Sequence, residues 1–219
     1  MAPVVRFRSA VALLGRFPAL AGVDLDVGAG EIVLLQGANG AGKTTLLRAC
    51  AGLVQVVSGE ARVLGHDLLH DRRTVRRSIG LLGHAGAMYD DLSVEDNLRF
   101  AVRAGGGNVA AVGPAMVSLG VDGRLRSVSV GRLSAGQRRR VSIAALVARA
   151  PALWLLDEPH AGLDADGRSL LDDLVRSAAA GGATVVMASH EAERAGALAA
   201  RTVVLGGGRV LQREPAHVA

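Results

Sequence analysis

The stretch Gly37-Ala38-Asn39-Gly40-Ala41-Gly42-Lys43-Thr44 constrains this chain more than any other. It fits G-x-x-x-x-G-K-[ST] at every fixed position. Before it, Ile32–Gln36 is an apolar run that reads as a buried strand; after it, residues 44–51 read as a helix closed by Gly52. Glycines let a backbone wrap a phosphate chain with its N–H groups turned inward, and the start of a helix adds partial positive charge. Gly37, Ala38, Asn39, Gly40, Ala41, Gly42, Lys43, Thr44 and Thr45 are therefore the expected triphosphate contacts, with Lys43 reaching the outer phosphates and the Thr44 hydroxyl ligating Mg2+. Composition sharpens this reading. Lysine and arginine together number 25, yet Lys43 is the single lysine. A chain that writes arginine everywhere else keeps a compact ammonium where a planar fork would not serve.

A second motif, Ala152-Leu153-Trp154-Leu155-Leu156-Asp157-Glu158, is an apolar strand ending in two carboxylates. In a sheet where ligands gather at the C-terminal strand ends, such acids lie beside the phosphate loop. Asp157 is suited to hold Mg2+ through water. Glu158, one residue on, points elsewhere and can act as general base toward a water. A third motif, Leu133-Ser134-Ala135-Gly136-Gln137-Arg138, places Ser134 where a helix running to about Ala150 should begin. A serine hydroxyl, the following N–H groups and the helix dipole make a second anion site. One chain needs only one triphosphate, so the natural ligand there belongs to a second copy.

Strands are expected at 23–27, Ile32–Gln36, 60–64, Ile79–Leu82, 153–156 and Thr184–Ala188, with a closing hairpin of 202–205 and 209–212 around Gly206-Gly207-Gly208. Helices are expected at 44–51, 168–180 and 191–200, and at 94–103, where Ser93 and Asp96 have capping-box-like spacing. Strands alternating with helices argue for a parallel α/β sheet. Residues 86–150 turn helical, broken by Gly105-Gly106-Gly107 and ended by Pro151, and read as an inserted subdomain.

The chain has 219 residues, half of them apolar, enough for one sizeable core. Cys50 is the sole cysteine, so no intrachain disulfide forms. The N-terminus lacks the apolar run of a signal peptide. No stretch reaches the ~18 uninterrupted apolar residues of a membrane span; 141–156 comes nearest and Arg149 interrupts it. A membrane role therefore calls for another subunit. The net charge is +5 and the pI about 10.8. The arginines are dispersed, however, with Arg138-Arg139-Arg140 the only dense cluster, and aromatic residues for base stacking are 2% of the chain. Nucleic acid is not the expected partner.

In this order the motifs resemble the nucleotide-binding domain of ABC transporters over essentially the whole chain. The segment at 133–138 resembles the LSGGQ signature, with Ala135 replacing the first glycine. Ala161-Gly162-Leu163-Asp164 resembles the D-loop, which touches the opposite protomer, and His190 resembles the switch histidine that contacts the γ-phosphate. The resemblance implies a P-loop NTPase core (1–85 and 151–219) with an inserted helical signature subdomain (86–150) and an N-terminal antiparallel β portion. It implies ATP and Mg2+ held between two copies. Lys43, Glu158 and His190 would be catalytic, Thr44 and Asp157 would hold the metal, and Ser134, Ala135, Gly136, Gln137 and Asp164 would meet the partner's ATP. Two positions depart from the family pattern. Ala85 occupies the place of the glutamine that senses Mg2+ and faces the membrane partner, and His84 is expected to supply part of that contact. The adenine-stacking aromatic is replaced near Leu14; Phe17 or aliphatic surface remains for the base.

Within the family, the stretch 79–100 with His84, together with the motifs at 133–141 and 157–164, is similar to the ATP-binding subunit of the cytochrome c biogenesis (haem) exporter. That implies a homodimer on the cytoplasmic face of the cell membrane. Its partner would be an integral membrane permease subunit, and this chain would not itself touch the cargo. With so few residues after the last expected strand, no regulatory extension is expected. An exporter cassette for another cargo is the alternative. Non-transport cassettes fit less well, since DNA-repair members carry a long central coiled coil and ribosome-acting members two cassettes.

Overall fold

The strand Ile32–Gln36 has no polar face, and its first four residues are all buried. A strand apolar on both sides belongs inside a sheet covered on both faces. The computed structural model, which describes residues 2–83 and 88–215, places it there as β3. It lies in a six-stranded sheet whose order is β10 (Arg209–Pro215), β9 (Arg201–Gly206), β3, β8 (Thr184–Ala188), β7 (Leu153–Asp157) and β6 (Ile79–Leu82). Every neighbouring pair is parallel except the closing hairpin of β9 and β10.

Side-chain alternation splits the interior in two. Ile32, Leu34, Trp154, Leu156, Val185 and Met187 face one way, onto α4 (Ala135–Arg149) and α5 (Ala165–Ala180). On that side α2 (Val94–Ala104) and α3 (Val112–Ser118) pack against α4, so the inserted helices share a core with the sheet. Val33, Leu35, Leu153, Leu155, Val186 and Ala188 face the other way, onto α1 (Lys43–Cys50). Beyond α1 stands a four-stranded antiparallel sheet of order β2 (Phe17–Val27), β1 (Val5–Leu14), β4 (Val56–Val63) and β5 (His66–Asp67). Leu46 and Leu47 on α1 and Phe7 on β1 are fully buried between the layers. Each such side chain contributes about 1.5–3 kcal/mol.

Two differences from the sequence reading have physical causes. The N-terminal antiparallel β portion that the resemblance implies is present, but periodicity alone does not reveal β1, because its alternation changes phase: Val5 and Phe7 are buried, then Ala10 and Ala12. The break is a bulge at Ser9, whose φ is 44° and whose N–H donates to Asp24 Oδ1 at 2.8 Å. One extra residue moves the apolar set to the other parity. The helix expected over 191–200 is only α6 (Ala192–Gly196). Its continuation is overridden when Ala200 N–H donates to the Ile32 carbonyl at 2.8 Å and the chain enters β9.

Candidate functional site

Strands β3, β7 and β8 end on one edge of the sheet, and each delivers a piece of the site there. After β3, the loop turns through Gly37 at φ 145° and Gly42 at φ 106°. A Cβ at Gly37 would run into the Leu205 carbonyl oxygen, and one at Gly42 would come within 2.9 Å of the Ala19 carbonyl oxygen. Only glycine meets both demands. Gly42 is also the N-cap of α1, and no side chain caps that end or puts an acid in its first turn. Lys43 folds back over the loop, donating to the Gly37 carbonyl at 2.6 Å and the Ala38 carbonyl at 3.1 Å, with only 8% of the residue exposed. Backbone N–H groups, helix dipole and a held ammonium converge on a place suited to phosphate.

At the end of β7, Asp157 Oδ2 accepts a hydrogen bond of 2.8 Å from the Thr44 hydroxyl. These two oxygen groups are the kind of hard donor set that suits Mg2+, an ion that draws its remaining ligands from phosphate and water. Glu158 then leaves the strand with φ 47°. A left-handed backbone at a residue with a side chain costs about 1–2 kcal/mol, so neighbours must hold it. Glu158 N–H donates to the Ala188 carbonyl at 2.8 Å, and its Oε2 accepts from His190 N–H at 3.1 Å. The other carboxylate oxygen, Oε1, lies 3.5 Å from His190 Nε2. The twist thus separates the two adjacent acids, Asp157 toward Thr44 and Glu158 toward His190.

Residues 39–45, Asp157, Glu158 and His190 border one cavity of about 360 Å3. Leu14 and Ala19 from the antiparallel sheet close its far side. Phe17 stands across the β-turn from Leu14, 80% exposed and outside that lining, so the surface available to a base is aliphatic.

The segment expected to form a second anion site lies elsewhere. Ser134 caps α4, accepting from Gln137 N–H at 3.2 Å while its own N–H donates to Gln137 Oε1 at 3.0 Å. None of Ser134, Ala135, Gly136 and Gln137 borders the cavity. Asp164 caps α5, accepting from Gly167 N–H at 2.9 Å, and it also pairs with Arg140 at 2.9 Å. The Gly167 hydrogen bond and then the Arg140 side chain hold this exposed carboxyl below its ordinary range. The two segments adjoin, since a Cβ on Gly136 would lie 3.3 Å from the Gly162 carbonyl oxygen. Together they form an outward surface that can meet a ligand carried by another molecule. His84 and Ala85 lie outside the described residues.

Apart from Arg138 closing the motif at 133–138, the three consecutive arginines read in the sequence only as a basic cluster. Arg138 pairs with Asp90 at 2.8 Å on the surface, and Arg140 holds Asp164. Arg139 is buried and donates to the Gly83, Glu158 and Pro159 carbonyls at 2.7, 2.6 and 3.3 Å. Nothing local in the sequence separates the three; the acceptors are 19, 20 and 56 residues away in the chain.

Residues 20–161 match the family model described as ABC transporter. The cytochrome c biogenesis ATP-binding export protein CcmA of Cupriavidus pinatubonensis (strain JMP 134 / LMG 1197) is 35% identical over 217 residues, covering 98% of this chain and 91% of that relative. Among solved structures, an ATP binding subunit of an ABC transporter is similar with a TM-score of 0.90 at 26% identity, over 97% of this chain and 90% of that one. A dimeric ATP-binding cassette in a post-hydrolysis state, bound to ADP and Pi, shares the fold with a TM-score of 0.85 at 23% identity, over 98% of this chain and 100% of that one.

Proposed function

The chain belongs to the ABC transporter family, and on that premise we propose that it is the ATP-hydrolysing subunit of the haem exporter of cytochrome c maturation. Two copies face head to tail, each ATP bound by residues 37–45 of one and by Ser134, Ala135, Gly136, Gln137 and Asp164 of the other. Lys43 and the loop N–H groups bind and orient the triphosphate. Thr44 and Asp157 would hold Mg2+, which would supply charge neutralisation to the phosphates. The Glu158 carboxylate accepts the proton of the attacking water, and His190 aligns that carboxylate and meets the outer phosphate. Water is excluded when the second copy closes over the open side. Hydrolysis removes the bridge and the pair separates.

The observation that carries this reading is the meeting of Lys43, Thr44, Asp157, Glu158 and His190 at one cavity, while Ser134–Gln137 stands complete outside it. The cytochrome c assignment is supported by the relative named for that process. Residues 1–85 and 151–219 form the nucleotide-binding core, and 86–150 the helical subdomain. Among the described residues no helix is long and apolar enough to cross a membrane. The proposal places the chain peripherally on the cytoplasmic face, docked to an integral permease, with no nucleic-acid partner. An exposed aromatic pair is suited to that docking: Tyr89 and Phe100, rings 5.1 Å apart edge to face, stand 53% and 50% exposed. The cargo passes through the permease without touching this chain.

Glu158→Gln tests the mechanism. Turnover should fall by about 10²–10⁴-fold while ATP binding persists and an ATP-bound dimer accumulates in light scattering. Normal turnover in this variant would remove Glu158 as the base. Mild-detergent purification of the tagged chain from its host tests the transport assignment. Recovery of cytochrome c maturation components supports it, and recovery of an unrelated permease replaces the cargo.

A further inference from the structure

Arg139 is a buried cation whose hydrogen-bond partners among the described residues are main-chain oxygens. It sits on α4 five residues after Ser134, but on the inward side, and it does not border the ATP cavity. Its three nitrogens reach the carbonyl of Gly83, just past the end of β6, and those of Glu158 and Pro159, just past the end of β7. The shortest bond, 2.6 Å, goes to Glu158 itself. That residue holds the strained φ of 47° that turns its carboxylate away from Asp157. Glu158 N–H is tied to Ala188 and its side chain to His190; on the carbonyl side of the twist the same oxygen accepts from Arg139 at 2.6 Å and, more weakly, from Ala161 N–H at 3.2 Å.

We propose that Arg139 is a positioning residue for ATP hydrolysis: from the signature helix, its guanidinium holds the Glu158 and Pro159 carbonyls and so fixes where the Glu158 carboxylate points. The inference rests on the proposed role of Glu158 as base. It has a physical logic. A planar fork with several fixed N–H vectors can span three carbonyls on two strands; a compact ammonium has a single nitrogen and reaches fewer. Burial lowers the Arg139 pKa and the charges of Asp157 and Glu158 oppose that shift, but a guanidinium remains protonated throughout the working pH range. The same helix carries Ser134 toward the partner copy. Engagement of that end and the aim of Glu158 are therefore linked through one rigid element.

The test uses the full chain as wild type, R139K and R139Q, each alone and combined with E158Q. MgATP affinity is measured by calorimetric titration in the E158Q background, and kcat and KM by phosphate release. Because Arg139 does not itself border the cavity and meets its wall only through the Glu158 carbonyl, R139Q should keep ATP affinity and KM within about threefold, while kcat falls about a hundredfold from misplacement of the base. R139K should lose about tenfold in kcat. In the E158Q background the residual turnover should change by less than about twofold on adding either substitution, since there is no base left to aim. A residue that served folding alone would lower kcat and ATP affinity together and act equally in both backgrounds; that pattern overturns the proposal. So does an unchanged kcat in R139K, the variant that decides the matter if R139Q does not fold. A wild-type chain that binds MgATP without turnover, or an E158Q chain with full turnover, would instead overturn the reading of Glu158, and this inference with it.

Discussion

Helices α1 and α4 both aim their N-termini at places where an anion can sit, yet their ends are finished in opposite ways. At α1 the cap is Gly42, with no side-chain hydrogen bond and no acid in the first turn. At α4 a full capping box, Ser134 with Gln137, satisfies two N–H groups from within the chain. An uncapped helix start leaves donors that a phosphate can take up. A capped one is complete before any ligand arrives, and a ligand there must compete with the chain's own side chains. The difference fits the division of labour in the proposed mechanism: α1 would make the primary site within one copy, and α4 a surface that a second copy's nucleotide would engage afterwards. A third end, that of α2, is filled by Ser93 together with Glu95 and Asp96, the chain's own anions.

The largest expected effect breaks the primary end. Lys43→Ala should weaken MgATP binding by about a hundredfold, since hydrogen bonds to charged groups contribute about 1.5–3 kcal/mol each; Ser134→Arg should leave single-chain affinity within about twofold while preventing the dimer. Equal losses of binding in both variants would erase the distinction between the two ends. Next in size, MgATP at a hundred times its dissociation constant should stabilise the wild-type chain by about 2.7 kcal/mol in denaturant titrations, with no comparable gain in Lys43→Ala at the same concentration. Smaller again, Ser134→Ala should destabilise the nucleotide-free chain by about 1 kcal/mol, because the α4 cap is intrinsic. A neutral result would mean that the box forms only with a partner.

The smallest effect concerns the self-filled end of α2. Glu95 is held down to about 2, from 4.5, first by hydrogen bonds from Arg126 and then by those from Arg99. The folded value lies below the unfolded one, so the stabilisation is present in full above about pH 4.5 and is lost as pH falls toward 2. Arg126→Ala should flatten this acid limb in unfolding curves taken across pH, and ATP affinity at neutral pH should stay as it was. A change in affinity would show that α2 reports on the nucleotide site.

Local chemistry reached far into this molecule. The pattern at 37–44 dictated a glycine loop before a helix, because only glycine tolerates φ values of 145° and 106° beside neighbouring carbonyls. The doubly apolar runs 32–36 and 153–156 required a covered parallel sheet. The adjacent acids at 157 and 158 had to diverge at the strand end, and Ser134 stood where the helix to about Ala150 should begin, as it does. Each of these follows from residues within a few positions of one another, where backbone geometry alone sets the contacts. The β-bulge at Ser9 was hidden, because its partner Asp24 belongs to the opposing strand. The short α6 was hidden too, since a bond to β3 outweighs its own propensity. Above all, Arg138, Arg139 and Arg140 are identical in type and consecutive, so no composition or period ranks them. Successive helix positions point about 100° apart, and only the packing of α4 against the ends of β6 and β7 decides that one enters the interior, one pairs with Asp90, and one restrains Asp164.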